Sequence, residues 1–412
     1  MSTPFELAYV GSVVPDIVEF RNRAFSPAGN MFQENLLSGL QAEGTTPSLV
    51  LSCRPMPAFP RSSRLAVKAQ RRRLENGIPV HLLPFINVSP LKQLMVGVAV
   101  FCSLLWWGWK HRTSRTRIVY TYNLTVPPGL FTLLAARCIG ARAVASVNDI
   151  CVPGESAPRR WAWRLDYMLH RFLLPCFDAL VVVAASIVED FAPRARYSLV
   201  EGGCTPEMAI EPGCLMESAK PDRFTVVFAG RMEALNGVEI MLQAISQIEG
   251  ERYRFVLAGE GPLSEAVRQA ARKDSRIEYL GLLKVHELLS IYKQADVLIS
   301  MRVTKALRTN YFFPSKLMEM LASGTLVIST CTGHVEAEFG RFLIPLRSES
   351  PEGLAEAIRN AAGTHLEARK EMGQRARAFM LANKTWQVQT GKINRLLRSV
   401  AGVPADWSFP CR

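Results

Sequence analysis

The feature that most constrains this chain is an alternation of short apolar runs with helical patterns, run through twice. The first series opens with Phe5-Glu6-Leu7-Ala8-Tyr9-Val10 and continues through residues 48–52, 80–84, 118–122, 143–147 and 179–183. The second opens at residues 224–230 and continues through 254–258, 277–280, 297–300 and 326–330. Short apolar runs separated by helix-period segments read as buried parallel strands. The expected fold class is therefore α/β, with two doubly wound, Rossmann-like domains facing a cleft.

Length agrees, because 412 residues exceed what one hydrophobic core usually serves. A first domain is expected over residues 1–200 and a second over 222–382. Between them, 201–221 reads as a hinge, with Glu201-Gly202-Gly203-Cys204-Thr205-Pro206 and Glu211-Pro212-Gly213 supplying its turn-forming residues. The segment 383–412 carries a last helix, over 386–399, expected to pack back on the first domain. Phosphorylated ligands bind at the carboxyl ends of the strands in such folds.

The net charge of +13 is concentrated. Between Gly44 and Asn148 fourteen lysines and arginines face one acid, Glu75, an excess that equals the charge of the whole chain. Such a surface attracts polyanions: anionic lipid headgroups, phosphorylated substrates or nucleic acid. No nucleic-acid-binding motif accompanies it, so nucleic acid is not the expected partner. Residues 94–109 carry no charge and end in Trp106-Trp107-Gly108-Trp109, followed by Lys110-His111-Arg112. The run is shorter than a membrane span, and tryptophans beside cations suit a helix lying at the headgroup level; a buried helix is the alternative.

The nine cysteines include no pair at the two-residue spacing of a zinc or redox site, and read as buried thiols in a reducing compartment. The opening Met1-Ser2-Thr3-Pro4-Phe5-Glu6 has neither the basic nor the apolar part of a secretory signal. The expected location is the cytoplasm.

The segment Phe312-Phe313-Pro314-Ser315-Lys316-Leu317-Met318-Glu319-Met320-Leu321-Ala322-Ser323-Gly324 carries the most chemistry. Pro314 stops any preceding helix, Ser315 is expected to cap a new one, and Gly324 suits the left-handed residue that ends it. The free amides of the helix start and the charge of Lys316 make an anion site. Ser315 and Glu319, four apart, share a face, from which Glu319 can accept hydrogen bonds from sugar or ribose hydroxyls.

These residues resemble the family 4 glycosyltransferases, in a bacterial polysaccharide-type branch with a Phe-Pro-Ser-Lys-x-x-Glu-x-x-Ala-Ser-Gly signature. Phe228-Ala229-Gly230-Arg231 with Asn236-Gly237, Leu257-Ala258-Gly259-Glu260-Gly261-Pro262, Tyr279-Leu280-Gly281 and Tyr292-Lys293-Gln294-Ala295-Asp296-Val297 follow in the family's order. A weaker match lies at Ala28-Gly29-Asn30 and Tyr122-Asn123. The resemblance implies the GT-B fold and transfer of a sugar from a nucleotide-sugar to a lipid-linked or polysaccharide acceptor, with retention of configuration. It also implies work at the inner face of the cell membrane.

By the same resemblance Arg231 contacts the donor diphosphate and Gly230 lets the backbone approach it. Glu260, Gly261, Leu282 and Leu283 lie in loops that hold the nucleoside, and Glu319 grips the ribose. Two positions depart from the family pattern: its usual lysine is Asn236 and its first glutamate is Tyr311. Arg302 and Lys316 are nearby cations that compensate. On the acceptor side Asp149 is the candidate, and Gly29 and Asn30, before a helix expected near Met31, can meet phosphate. No two aspartates are separated by a single residue, so no metal is expected, and no cofactor beyond the donor. Two other readings stay open: a non-catalytic nucleotide-sugar-binding protein, or another GT-B enzyme such as an epimerase.

Overall fold

The computed structural model describes residues 4–22, 24–123, 128–148, 150, 152, 160–205, 208, 223–307 and 310–403. Contacts divide the chain into two compact units, residues 1–201 with 386–412 and residues 202–385. Most of the segment read as a hinge lies outside the described residues.

The first unit is built on strands β1 (Glu6–Gly11), β2 (Leu49–Ser52), β4 (Gln70–Arg73), β5 (Pro79–Leu82), β7 (Arg117–Tyr122), β8 (Arg142–Val147), β9 (Ala179–Val182) and β10 (Arg196–Leu199). They form one sheet in the order β10-β9-β8-β7-β1-β2-β5-β4. All neighbours are parallel except the edge pair β4–β5. A separate short antiparallel pair joins β3 (Ala66–Val67) and β6 (Phe85–Ile86). Helices α1 (Pro27–Ala42), α2 (Leu91–Lys110), α3 (Pro128–Cys138), α4 (Arg160–Leu173) and α5 (Ala185–Phe191) connect the strands, and α13 (Trp386–Val400) closes the unit. Phe32, Leu36, Leu37 and Leu40, at helical spacing on α1, join Ile393 and Leu397 of α13 over Leu7, Tyr9, Val80 and Tyr120 of the sheet. Thr45 hydrogen-bonds Asn394 at 2.8 Å, fixing the helix pair.

Helix α1 starts four residues earlier than the sequence suggested. Ser26 caps it, its hydroxyl accepting from the Gly29 amide at 3.2 Å, and Pro27 fills the first helical position, where its missing N–H costs nothing. Gly29 and Asn30 therefore lie within the first turn.

Helix α2 extends the uncharged run at both ends. By length and composition it is long enough to cross a membrane, with mean hydropathy 1.4, although the uncharged run alone is shorter. One face nevertheless belongs to the first unit: Val96, Val100, Leu104 and Trp107 are buried, and the Trp107 indole donates to Ser48 at 3.0 Å. Gly97 and Gly108 let α3 approach, since a Cβ at either would fall 2.5–2.6 Å from Phe131 or Ile139. The opposite face, Leu91, Leu94, Val98, Cys102, Trp106 and Trp109, is exposed. The cysteines are likewise not uniformly buried, for Cys102, Cys138 and Cys176 reach the surface.

The second unit has six parallel strands: β11 (Phe224–Ala229), β12 (Tyr253–Ala258), β13 (Ile277–Gly281), β14 (Val297–Ser300), β15 (Leu326–Ser329) and β16 (Ile344–Pro345). Their order is β13-β12-β11-β14-β15-β16, so the direction of winding reverses between β11 and β14. Helices α6 (Val238–Ser246), α7 (Ser264–Lys273), α8 (Val285–Gln294), α9 (Ser315–Ala322), α10 (Val335–Phe339), α11 (Pro351–Gly363) and α12 (Leu366–Asn383) connect or follow them. Val226, Phe228, Phe255, Leu257, Val297 and Ile299 pack under Val238, Met241, Leu354 and Ile358 as one core.

Candidate active site

Because all strands of the second unit run parallel, the residues after each strand gather at one edge of its sheet. Gly230 and Arg231 follow β11, Gly259-Glu260-Gly261 follow β12, Leu282 and Leu283 follow β13, and Arg302 follows β14. Helix α9, which returns from β14 to β15, starts at the same edge with Ser315 and Lys316. The reversal of strand order between β11 and β14 is where this architecture opens a crevice for a ligand.

Across that reversal the side chains form one network. The Arg302 guanidinium donates to Asn236 Oδ1 at 2.7 Å, and Asn236 Nδ2 donates to the Arg231 carbonyl at 2.8 Å. Glu233 pairs with Arg231 at 2.9 Å and lies 3.9 Å from Arg302. Arg302 also stacks over the Phe312 ring at 4.7 Å, tying the network to the segment that leads into α9. Arg231 is two-thirds exposed, so its guanidinium is accessible to a ligand beside its Glu233 partner. Gly237, left-handed at φ +73°, turns the chain into α6.

The β12 loop is locked against the β11 loop by backbone contact. Gly259 has φ +129°, and a Cβ there would lie 1.8 Å from the Gly230 carbonyl oxygen; one at Gly261 would lie 2.4 Å from the Met232 oxygen. Gly230 itself has room for a side chain, so its contribution is the carbonyl against which Gly259 packs. Tyr279 donates to the Gly259 carbonyl at 2.7 Å, and Ser264 accepts from the Gly261 amide at 2.9 Å. Glu260 and Leu282 are exposed, and Leu283 is half-buried.

At α9 the cap differs from the sequence reading. Pro314 takes the cap position, its carbonyl accepting from the Leu317 amide at 2.8 Å, and Ser315 is the first helical residue with no cap bond. Among the described residues the Ser315 and Lys316 amides keep no backbone partner and stay available to a ligand. Gly324 is left-handed at φ +81°. Burial pushes the Glu319 carboxyl above the usual carboxylate range, opposed by the Lys316 ammonium. Burial also lowers the Lys316 ammonium, with Glu319 opposing, although the residue as a whole is exposed. The Tyr292 phenol, raised by burial and by Glu319, has a buried hydroxyl without a hydrogen-bond partner among the described residues. Tyr311 is buried.

In the first unit a polar pocket of about 150 Å³ lies at the carboxyl edge of the sheet, beside the start of α1. Ser12, Ser26, Gly29, Asn30, Tyr122 and Asn123 line it. The Asn30 side chain is already committed, accepting from the Val14 amide at 2.9 Å and donating to the Val14 carbonyl at 3.0 Å. It braces the loop after β1. Asn123, at φ +48°, accepts from the Asn148 amide at 2.8 Å and so ties β7 to β8. Asp149 lies outside the described residues.

The sequence reading left out Glu233 and Ser264, and it named Tyr279 and Phe312 only as parts of family motifs, without a role. Glu233 had a signal of its own, as an acid two residues after Arg231.

Two family patterns match the chain, the glycosyl transferase 4-like domain over residues 30–203 and glycosyl transferases group 1 over residues 223–363. The chain belongs to the family 4 glycosyltransferases of GT-B fold. It is therefore a sugar-transferring enzyme. No curated protein matches the sequence at a significant level. Among solved structures it is similar to the sucrose-phosphate synthase of Thermosynechococcus elongatus, at 14% identity and TM-score 0.68, over 96% of this chain and 99% of that one. HepE of Anabaena, solved in complex with UDP, is similar at 12% identity and TM-score 0.67, over 96% and 100%. A glycosyltransferase of Rickettsia africae is similar at 14% identity and TM-score 0.66, over 95% and 98%.

Proposed function

We propose that the enzyme transfers a sugar from a nucleotide-sugar to a lipid-linked or polysaccharide acceptor at the inner face of the cell membrane, with retention and without a metal. The observation that carries the donor half is the Arg302–Asn236–Arg231 network at the strand-order reversal of the second unit. A diphosphate seated there meets two guanidiniums, suited by shape to phosphate oxygens, and the cationic start of α9. These charges stabilise the leaving nucleotide as negative charge develops on it, which a metal supplies in other designs. Glu319, one turn into α9, accepts hydrogen bonds from donor hydroxyls. UDP in the similar HepE structure supports a nucleotide donor.

The membrane half rests on α2. An amphipathic helix normally turns polar residues to water. This one turns Leu91, Leu94, Val98, Trp106 and Trp109 outward, with Lys110 over Trp106 and Arg112 over Trp109. Arg54 takes no part, for it is buried, stacked on Phe20 and bonded to Glu19 at 3.0 Å. Arg72 pairs with the same acid at 3.2 Å.

Incubation with radiolabelled nucleotide-sugars and a membrane lipid extract tests the reading. It predicts label in the lipid phase in the presence of EDTA, with the donor's anomeric configuration by NMR. Release of free sugar alone, or dependence on a divalent cation, contradicts it.

A further inference from the structure

Where α2 and α3 end, four arginines meet at one pocket. It measures about 460 Å³, and Arg115, Arg117, Arg137 and Arg142 line it together with the carboxyl end of α13. Arg117 and Arg142 open β7 and β8, so this is the amino edge of the first unit's sheet, opposite the polar pocket beside α1.

Cations at helix carboxyl ends have an ordinary structural use, and part of the cluster serves it. Arg117 donates to the Gly108 carbonyl in the last turn of α2 at 2.9 Å, and Arg137 donates to the Cys176 carbonyl. Each recorded bond uses one of five N–H donors, leaving most of the guanidinium for a ligand. Arg142 pairs with Asp178 at 2.9 Å. Among the described residues Arg115 has no hydrogen bond or ion pair, and no acid lines the pocket. Four guanidiniums against one flanking carboxylate leave a strong positive field in a concave polar site, the setting in which a phosphate is held by several donors at once.

The surroundings select the source of that phosphate. The Gly108 carbonyl that holds Arg117 lies one residue before Trp109, and Arg112 stacks on the Trp109 ring at 5.0 Å. Trp106 and Trp109 are 59% and 64% exposed, and they finish an apolar stripe that runs the length of α2. The pocket therefore adjoins the end of α2 that carries indoles and cations, the combination found at headgroup level.

We propose that this pocket binds the phosphate of an anionic phospholipid headgroup and so fixes the orientation of α2 on the bilayer; this rests on the membrane reading above.

The test uses the full chain, phosphatidylglycerol and phosphatidylcholine vesicles, and soluble dihexanoyl-phosphatidylglycerol below its micelle concentration. The pocket variant is Arg115→Gln with Arg137→Gln. The control is Arg61→Gln with Lys68→Gln, which removes as many exposed charges elsewhere. Thermal unfolding verifies that both fold. Wild type is expected to bind the soluble lipid saturably and to sediment with phosphatidylglycerol vesicles. The pocket variant is expected to bind both on the order of tenfold or more weakly, and the control about as wild type, since two contacts near an anionic surface are lost only in the former. Equal binding by the two variants overturns the pocket while leaving docking through α2 intact. Failure of wild type to sediment overturns the membrane reading and the pocket with it. Competition by inorganic phosphate as strong as by the lipid reassigns the site to a free anion and overturns the headgroup assignment.

Discussion

Arg302 reaches Asn236 at 2.7 Å, joining the loop after β14 to the loop after β11 across the position where the strand order of the second unit reverses. Two side chains thus meet there: an amide that binds the Arg231 backbone and a guanidinium from the next strand.

That contact makes a swap prediction. Asn236→Lys alone is expected to weaken donor binding, because it sets an ammonium against the Arg302 guanidinium. Asn236→Lys in an Arg302→Ala background is expected to restore part of what Arg302→Ala loses. Calorimetric titration of the donor into the three variants measures it, and additive losses count against the pairing.

Lys316→Ala is expected to slow transfer roughly ten- to a hundredfold, since a hydrogen bond to a charged group contributes about 1.5–3 kcal/mol. The drop should appear in kcat with little change in thermal stability, because the residue as a whole is exposed. Full transfer rate in a folded variant assigns the charge to Arg231 and Arg302 alone.

Gly259→Ala is expected to destabilise the second unit by about 3 kcal/mol or more, combining a left-handed backbone with a Cβ 1.8 Å from the Gly230 oxygen. Thermal unfolding and nucleotide titration should fall together. A variant with native stability and affinity shows that the loop rearranges freely and is not the rigid wall described.

In the first unit, burial on α1, with Glu75 and Asp16 adding repulsion, pushes the Glu34 carboxyl up to about 7 from the ordinary 4.5. Between these values the native state holds a proton that the unfolded chain has released, so stability falls as pH rises through that window. Glu34→Gln removes this slope. Its melting temperature relative to wild type is expected to climb from about pH 4.5 and level off above pH 7; a constant difference contradicts the shift.

Much of this was legible in the sequence. Buried parallel strands such as Phe224–Ala229 and Val297–Ser300 are unbroken apolar runs, and their order placed Gly230, Arg231 and Arg302 at one edge. Strand β4 was not legible, because Gln70-Arg71-Arg72-Arg73 is an antiparallel edge strand whose residues are mostly exposed and carry no apolar pattern. Asn30 looked like a ligand residue until its amide was seen closed on Val14, a pairing that only the loop after β1 creates. Ser315 follows a proline able to stand at the cap itself, which composition rules do not anticipate. The basic span read as one surface, yet Arg54, Arg64 and Arg72 converge on Glu19, an acid far away in sequence.

The most direct test of the donor site is titration of wild type and Arg302→Met with UDP, GDP, ADP and dTDP under identical conditions. At least one nucleotide is expected to bind wild type in the micromolar range and to bind Arg302→Met on the order of tenfold or more weakly, the loss due to one charged contact. Absence of binding by any nucleotide, or equal affinity in the two proteins, contradicts a donor held at the β11–β14 reversal.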